Sequence, residues 1–265
     1  MYGTLSRSLP LEICLQHVGR KYRQIMQPKS YNGRMLDMLV PLGMRTRIRN
    51  LIIHKKWIPL GGRCQFLDAS LPNLETLAIT SDIGWENESN EELLARLRGV
   101  FKGGMPSLLR LFIPECTPWP NNNFKNLKLL CLYNQSGLEL ELPELLQMLR
   151  GSPTIEELYI RQREHSERIN GPPPNLGPTF QAHSLRKLRF HDFSSRAIAP
   201  ILSTMQLQPN GVAVYLSDTI MAADALAQIL PLFPPGCTLG STEKLEVYHE
   251  SQELFGSCSV APEVR

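Results

Sequence analysis

The stretch Leu71-Pro72-Asn73-Leu74-Glu75-Thr76-Leu77-Ala78-Ile79-Thr80 decides how the rest of the chain reads. Its apolar residues Leu74, Leu77 and Ile79 are separated by two variable positions and then by one. The same phrase recurs as Ile48–Leu51–Ile53, Leu108–Leu111–Ile113, Leu127–Leu130–Leu132, Ile155–Leu158–Ile160 and Leu185–Leu188–Phe190. Its second half alternates, with Leu77 and Ile79 set between Thr76, Ala78 and Thr80. That is the period of a strand whose successive side chains leave opposite faces.

The first residues of the phrase stand at 48, 74, 108, 127, 155 and 185. Spacings of roughly 20 to 35 residues bracket the ~20–29-residue period of leucine-rich repeats. Phrase and period together predict an α/β fold: a leucine-rich-repeat solenoid, or horseshoe, with a parallel sheet on its concave face and helices or loops on its convex face. Parallel strands need long crossovers, and helical patterns occupy the places where these fall. Ser89-Asn90-Glu91-Glu92 reads as a capping box ahead of Leu93, Leu97, Val100 and Phe101, with Gly103 and Gly104 as the stop. Further helices are expected at 142–150, with Leu145, Leu146 and Leu149 inward and Gly151 as the stop, and at 194–205, with Ile198, Ile201, Leu202 and Met205 inward. Pro200 argues against the latter, because proline suits only a helix start. Another helix is expected at 218–230.

The ends are less regular, as terminal repeats are. Residues 11–15 alternate and predict a leading strand, 35–40 a short helical turn, and 212–216 and 245–247 degenerate late strands. The Pro- and Gly-rich stretch 170–178 reads as an exposed loop. The expected organisation is one solenoid over 1–248, with an irregular N-terminal cap over about 1–46. A disordered tail is expected over 249–265.

At 265 residues with 28 basic and 25 acidic side chains, the chain has a net charge of only +3. No dense basic stripe marks it for nucleic acid. Its most basic run, with Arg45, Arg47, Arg49, Lys55, Lys56 and Arg63, reads as a solvated face of the first repeats. The six cysteines are scattered without a CxxC pair, which argues against a zinc site and for a reducing compartment. No apolar run reaches the length of a membrane helix. The expectation is a monomer in the cytoplasm or nucleus, in contact with neither membrane nor nucleic acid.

Chemistry is equally unmarked. The six histidines lack metal-ligand spacing, and no GxSxG elbow, Walker loop or GxGxxG cradle occurs. The expectation is a protein that is not an enzyme, with no cofactor and no metal. If the strands stack, their outward positions line the concave face. Phe112, Leu129, Tyr133 and Tyr159 are then apolar or aromatic where water would be met, Arg161, Lys187 and Arg189 form a basic flank beside them, and His191 also faces outward. Aromatic and arginine side chains are the usual anchors of interfaces, so these eight residues are the candidate partner-binding set. The competing reading has loops or the tail covering them.

The units Leu71-Pro72-Asn73-Leu74-Glu75-Thr76-Leu77 and Ser152-Pro153-Thr154-Ile155-Glu156-Glu157-Leu158-Tyr159-Ile160, with Pro10-Leu11-Glu12-Ile13, Ile113-Pro114-Glu115-Cys116-Thr117-Pro118-Trp119-Pro120 and Phe124-Lys125-Asn126-Leu127, resemble F-box-like leucine-rich-repeat proteins, in particular those of mushroom-forming fungi. The resemblance covers roughly residues 8 to 248. It implies the substrate-recognition part of a ubiquitin-ligase receptor, holding a protein client of unknown identity. No F-box is read in this sequence, so a Skp-type adaptor is expected only where an F-box lies upstream. The alternative is a free-standing repeat scaffold for protein interaction with no link to ubiquitin.

Overall fold

A computed structural model of the protein describes residues 9–15, 42–54, 70–80, 104–114, 124–135, 138–162, 177–191, 195–208, 211–217 and 229–233. Every phrase becomes a strand. The strands are β1 (Leu11–Leu15), β2 (Ile48–His54), β3 (Thr76–Thr80), β4 (Arg110–Pro114), β5 (Leu129–Gln135), β6 (Glu157–Gln162), β7 (Phe180–Ala182), β8 (Lys187–His191), β9 (Met205–Leu207) and β10 (Ala213–Ser217). Eight of them form one sheet in the order β1-β2-β3-β4-β5-β6-β8-β10. Every neighbouring pair in it is parallel. Among the described residues the protein is α/β, with a parallel sheet of eight strands and few helices.

The register makes the repeats equivalent. Leu51, Leu77, Leu111, Leu130, Leu158, Leu188 and Val214 stand opposite one another across seven strands. All are buried, as are Ile53, Ile79, Ile113, Leu132, Ile160 and Phe190 two residues on. The leading residues Ile48, Leu74, Leu108, Leu127, Ile155 and Leu185 are buried as well. Three rows of aliphatic side chains therefore run the width of the sheet on one side. Each buried side chain contributes roughly 1.5–3 kcal/mol.

A turn leads into five of these strands. The amide of Leu74 donates to the carbonyl of Leu71, Leu108 to Met105, Leu127 to Phe124, Ile155 to Ser152 and Leu185 to Ala182, at 3.1–3.3 Å. This is the four-residue bond of a β-turn. Pro72, Pro106 and Pro153 occupy its second position, where the fixed φ of proline suits the turn. The third position ties a unit to the one before it. Asn73 Nδ2 donates to the Thr46 carbonyl at 2.6 Å, Asn126 Nδ2 to Pro106 at 2.8 Å, and Thr154 Oγ1 to Lys125 at 2.9 Å.

Beside short 3-10 helices at Leu42–Arg47 and Leu230–Leu232, two longer helices are described, α1 (Leu138–Arg150) and α2 (Ser195–Thr204). Their inward residues are those expected: Leu145, Leu146, Leu149, Ile198, Ile201 and Leu202 are all buried. Three details differ from expectation. Helix α1 begins at Leu138 rather than 142, so Pro143 lies inside it instead of at its start, and Pro200 likewise lies inside α2. Packing of their apolar stripes outweighs the local cost of the proline. Met205 is buried as expected but belongs to β9, which pairs with β7 in a small second sheet. The leading strand at 11–15 is present, and the late strand expected at 212–216 is β10 at the sheet's edge.

The basic run is not simply a solvated face. Arg45 is only 8% exposed. Arg47 Nε donates to the Leu9 carbonyl at 2.9 Å, and Arg49 pairs with Glu75. The expected helix at 89–102, the turn at 35–40, the strand at 245–247, most of the helix at 218–230 and the tail lie outside the described residues, as do Lys55, Lys56 and Arg63.

Candidate partner-binding face

Alternation that sends leucines into the core sends their neighbours to the other side of the sheet. The register lines these up in rows. One row runs Glu12, Asn50, Thr76, Arg110, Leu129, Glu157, Lys187, Ala213. The next runs Cys14, Ile52, Ala78, Phe112, Cys131, Tyr159, Arg189, Tyr215. The eight expected residues all lie on this side. Arg189 is exposed, and Phe112, Leu129, Tyr133, Tyr159, Arg161, Lys187 and His191 are half-buried. His54 shares the outward alternation but is itself buried.

The eight do not form a single cluster. Tyr159, Lys187 and Arg189 meet at the end made by β6, β8 and β10. The Arg189 guanidinium carbon lies 5.3 Å from the centre of the Tyr159 ring and 4.7 Å from that of Tyr215. Lys187 Nζ lies 5.4 Å and 6.0 Å from the same two rings. Cations over aromatic faces at these distances are attracted by the ring quadrupole. The Tyr159 hydroxyl donates to Glu157 Oε2 at 2.8 Å, and Lys187 Nζ stands 3.9 Å from the same oxygen. Partial burial, reinforced by the Glu157 carboxylate, pushes the Tyr159 phenol well above its ordinary pKa. It therefore stays a hydrogen-bond donor at any physiological pH.

Tyr133 is engaged elsewhere. Its hydroxyl donates to the Ile79 carbonyl at 2.6 Å, reaching from β5 over β4 to β3. The reason lies in Pro114. Along the β3–β4 ladder the Glu75 carbonyl takes the Arg110 amide, and acceptors and donors then advance two residues at a time. The donor opposite Ile79 falls on residue 114, a proline with no N–H. Registered pairing between β3 and β4 accordingly ends at Ala78 and Phe112, and the tyrosine hydroxyl supplies the missing donor.

Tyr215 belongs to this face but not to the expected set. At 40% it is an exposed large hydrophobic. The alternation of Val212-Ala213-Val214-Tyr215-Leu216 carries the signal, since a buried Val214 puts Tyr215 outward. On the rim, Lys128 Nζ pairs with Glu156 Oε1 at 2.9 Å. That hydrogen bond, with the nearby charges of Lys128 and Arg186, holds the Glu156 carboxyl below its ordinary pKa.

Among the described residues no three His, Cys, Asp or Glu side chains converge as metal ligands, and no helix is long and apolar enough to cross a membrane. Protein-family models, curated proteins and solved structures yield no match to this chain.

Proposed function

We propose that the chain is a leucine-rich-repeat solenoid whose sheet presents a concave surface to a protein client, in the manner of the substrate-recognition part of an F-box-type ubiquitin-ligase receptor. Support for the solenoid comes from strands that pair in chain order, with three continuous aliphatic rows and a recurrent turn. Stacked units of this kind build extended binding surfaces rather than catalytic pockets. The observation that carries the binding reading is the row Phe112, Cys131, Tyr159, Arg189, Tyr215, in register on five consecutive strands. It offers aromatic and arginine anchors on a rigid frame, which is the composition of interface hot spots. The client is held there, and any ubiquitin transfer takes place on other subunits, in the cytoplasm or nucleus.

The test is affinity capture with the wild-type chain, Phe112→Asp and Arg186→Gln, the last altering an exposed rim residue. A recurrent protein should be retained by wild type and Arg186→Gln and lost with Phe112→Asp. Capture of the same proteins by all three, or of none by wild type, would overturn the reading. Recovery of a Skp-type adaptor with a longer chain that carries an F-box would support the ligase link. Its absence from such a chain would favour the free-standing scaffold.

A further inference from the structure

Resting on that reading, we propose that the β6–β8–β10 end of the face binds an acidic segment of the client, with Arg189 taking a carboxylate of that segment through its paired N–H donors. The Arg189 guanidinium lies over two tyrosine rings, at 5.3 Å and 4.7 Å. It has no hydrogen bond or ion pair among the described residues. The two rings restrict the side chain, so little conformational freedom remains to be lost on binding. Guanidinium geometry matches a carboxylate in bidentate fashion, whereas an ammonium offers only a point charge.

Among the described residues the one carboxylate in this cluster, Glu157, does not neutralise Arg189. Glu157 is held by the Tyr159 hydroxyl at 2.8 Å and faces Lys187 at 3.9 Å. Among the described residues Lys187 and Arg189 thus stand on two outward positions against one acid. This surplus steers an acidic partner. A nucleic acid fits less well. Binding a single strand requires aromatic faces open for base stacking, and here Tyr159 and Tyr215 already carry cations.

The experiment is fluorescence anisotropy on the full chain. The probes are a fluorescein-labelled decapeptide of alternating glutamate and leucine, its glutamine counterpart, and a uridine decamer. The glutamate peptide should bind more tightly than the other two. Arg189→Gln and Arg189→Lys should each weaken it by about tenfold or more, equivalent to about 1.4 kcal/mol. Tyr215→Ala should weaken it by a few-fold, and Arg186→Gln should leave it unchanged. Failure of the glutamate peptide to bind, equal binding of the glutamine peptide, tighter binding of the RNA, or unchanged affinity in a folded Arg189→Gln would each overturn the proposal. The two readings fail separately. Client capture sensitive to Phe112→Asp, with no peptide effect at Arg189, retains the recognition face and removes the acidic client. Peptide binding dependent on Arg189, with capture indifferent to Phe112→Asp, does the reverse.

Discussion

Tyr133→Phe removes one oxygen and leaves the Ile79 carbonyl without its donor, because Pro114 supplies none. Ile79 is only 2% exposed, so water is a poor substitute. Stranding a buried acceptor costs about 1–3 kcal/mol, whereas a hydrogen bond that is replaced costs far less. The structure therefore makes the cost conditional. Pro114→Ala restores an amide on the residue that falls opposite Ile79. In that background the loss of the Tyr133 hydroxyl should cost less than about 1 kcal/mol. A double-mutant cycle isolates this coupling, and the intrinsic effect of replacing proline, about 0.4–1 kcal/mol through the unfolded chain, cancels from it. The assay is urea denaturation of the four proteins at pH 7, followed by circular dichroism. A coupling energy of about 1 kcal/mol or more in the rescuing direction is expected. Equal losses from Tyr133→Phe in both backgrounds would show that the hydroxyl does not stand in for the absent amide.

Other outcomes follow from the same geometry. Leu130→Ala, at a fully buried position in the middle of an aliphatic row, should cost about 2–5 kcal/mol by cavity formation, while Tyr159→Ala should change the urea midpoint far less; equal losses would contradict the assignment of faces. Thr154→Val should cost about 0.5–1.5 kcal/mol, since its hydroxyl donates to Lys125 at 2.9 Å, and unchanged stability would show that this link between units is dispensable. The raised pKa of Tyr159 has a definite sign: above about pH 10 the unfolded phenol loses its proton first, so stability should fall as pH rises from there towards the higher folded-state value. Tyr159→Phe should make that alkaline decline shallower in urea titrations, and identical slopes would refute the linkage.

The inward half of the fold was legible because a residue such as Leu158 is under one constraint only. It must be aliphatic and recur at strand spacing, and so must its counterparts on every neighbouring strand. The outward half was legible in position but not in contact. Alternation places Tyr133 and Tyr159 on one side of the sheet, yet no spacing rule says that the first reaches two strands sideways for a carbonyl. That consequence of Pro114 exists only once the ladder is assembled. Tyr215 escaped because its strand has no full phrase: by the register Gly211 stands at the leading station, and Val214 stands where leucines stand elsewhere. β7 and β9 escaped because three residues each are too few to show a period. Arg45 escaped because it lies in a 3-10 helix, Leu42–Arg47, three residues ahead of Ile48, at the station where other units bury Leu71, Met105 or Phe124. Composition alone places an arginine in water.

The aliphatic rows impose only that each added strand bring a Leu, Ile, Val or Phe to the same three stations. A gene segment encoding one phrase is therefore insertable or deletable without redesign of the interior, and the stack closes up around the change. The trio Tyr159, Arg189 and Tyr215 has no such latitude, since it draws one member from each of three successive strands. Duplication within that block would pull its members about one strand spacing, roughly 5 Å, further apart. Lineages that lengthen or shorten this array should do so on the β1–β3 side, since the Tyr133–Ile79 bond likewise needs β3, β4 and β5 adjacent, and leave the last three strands adjacent.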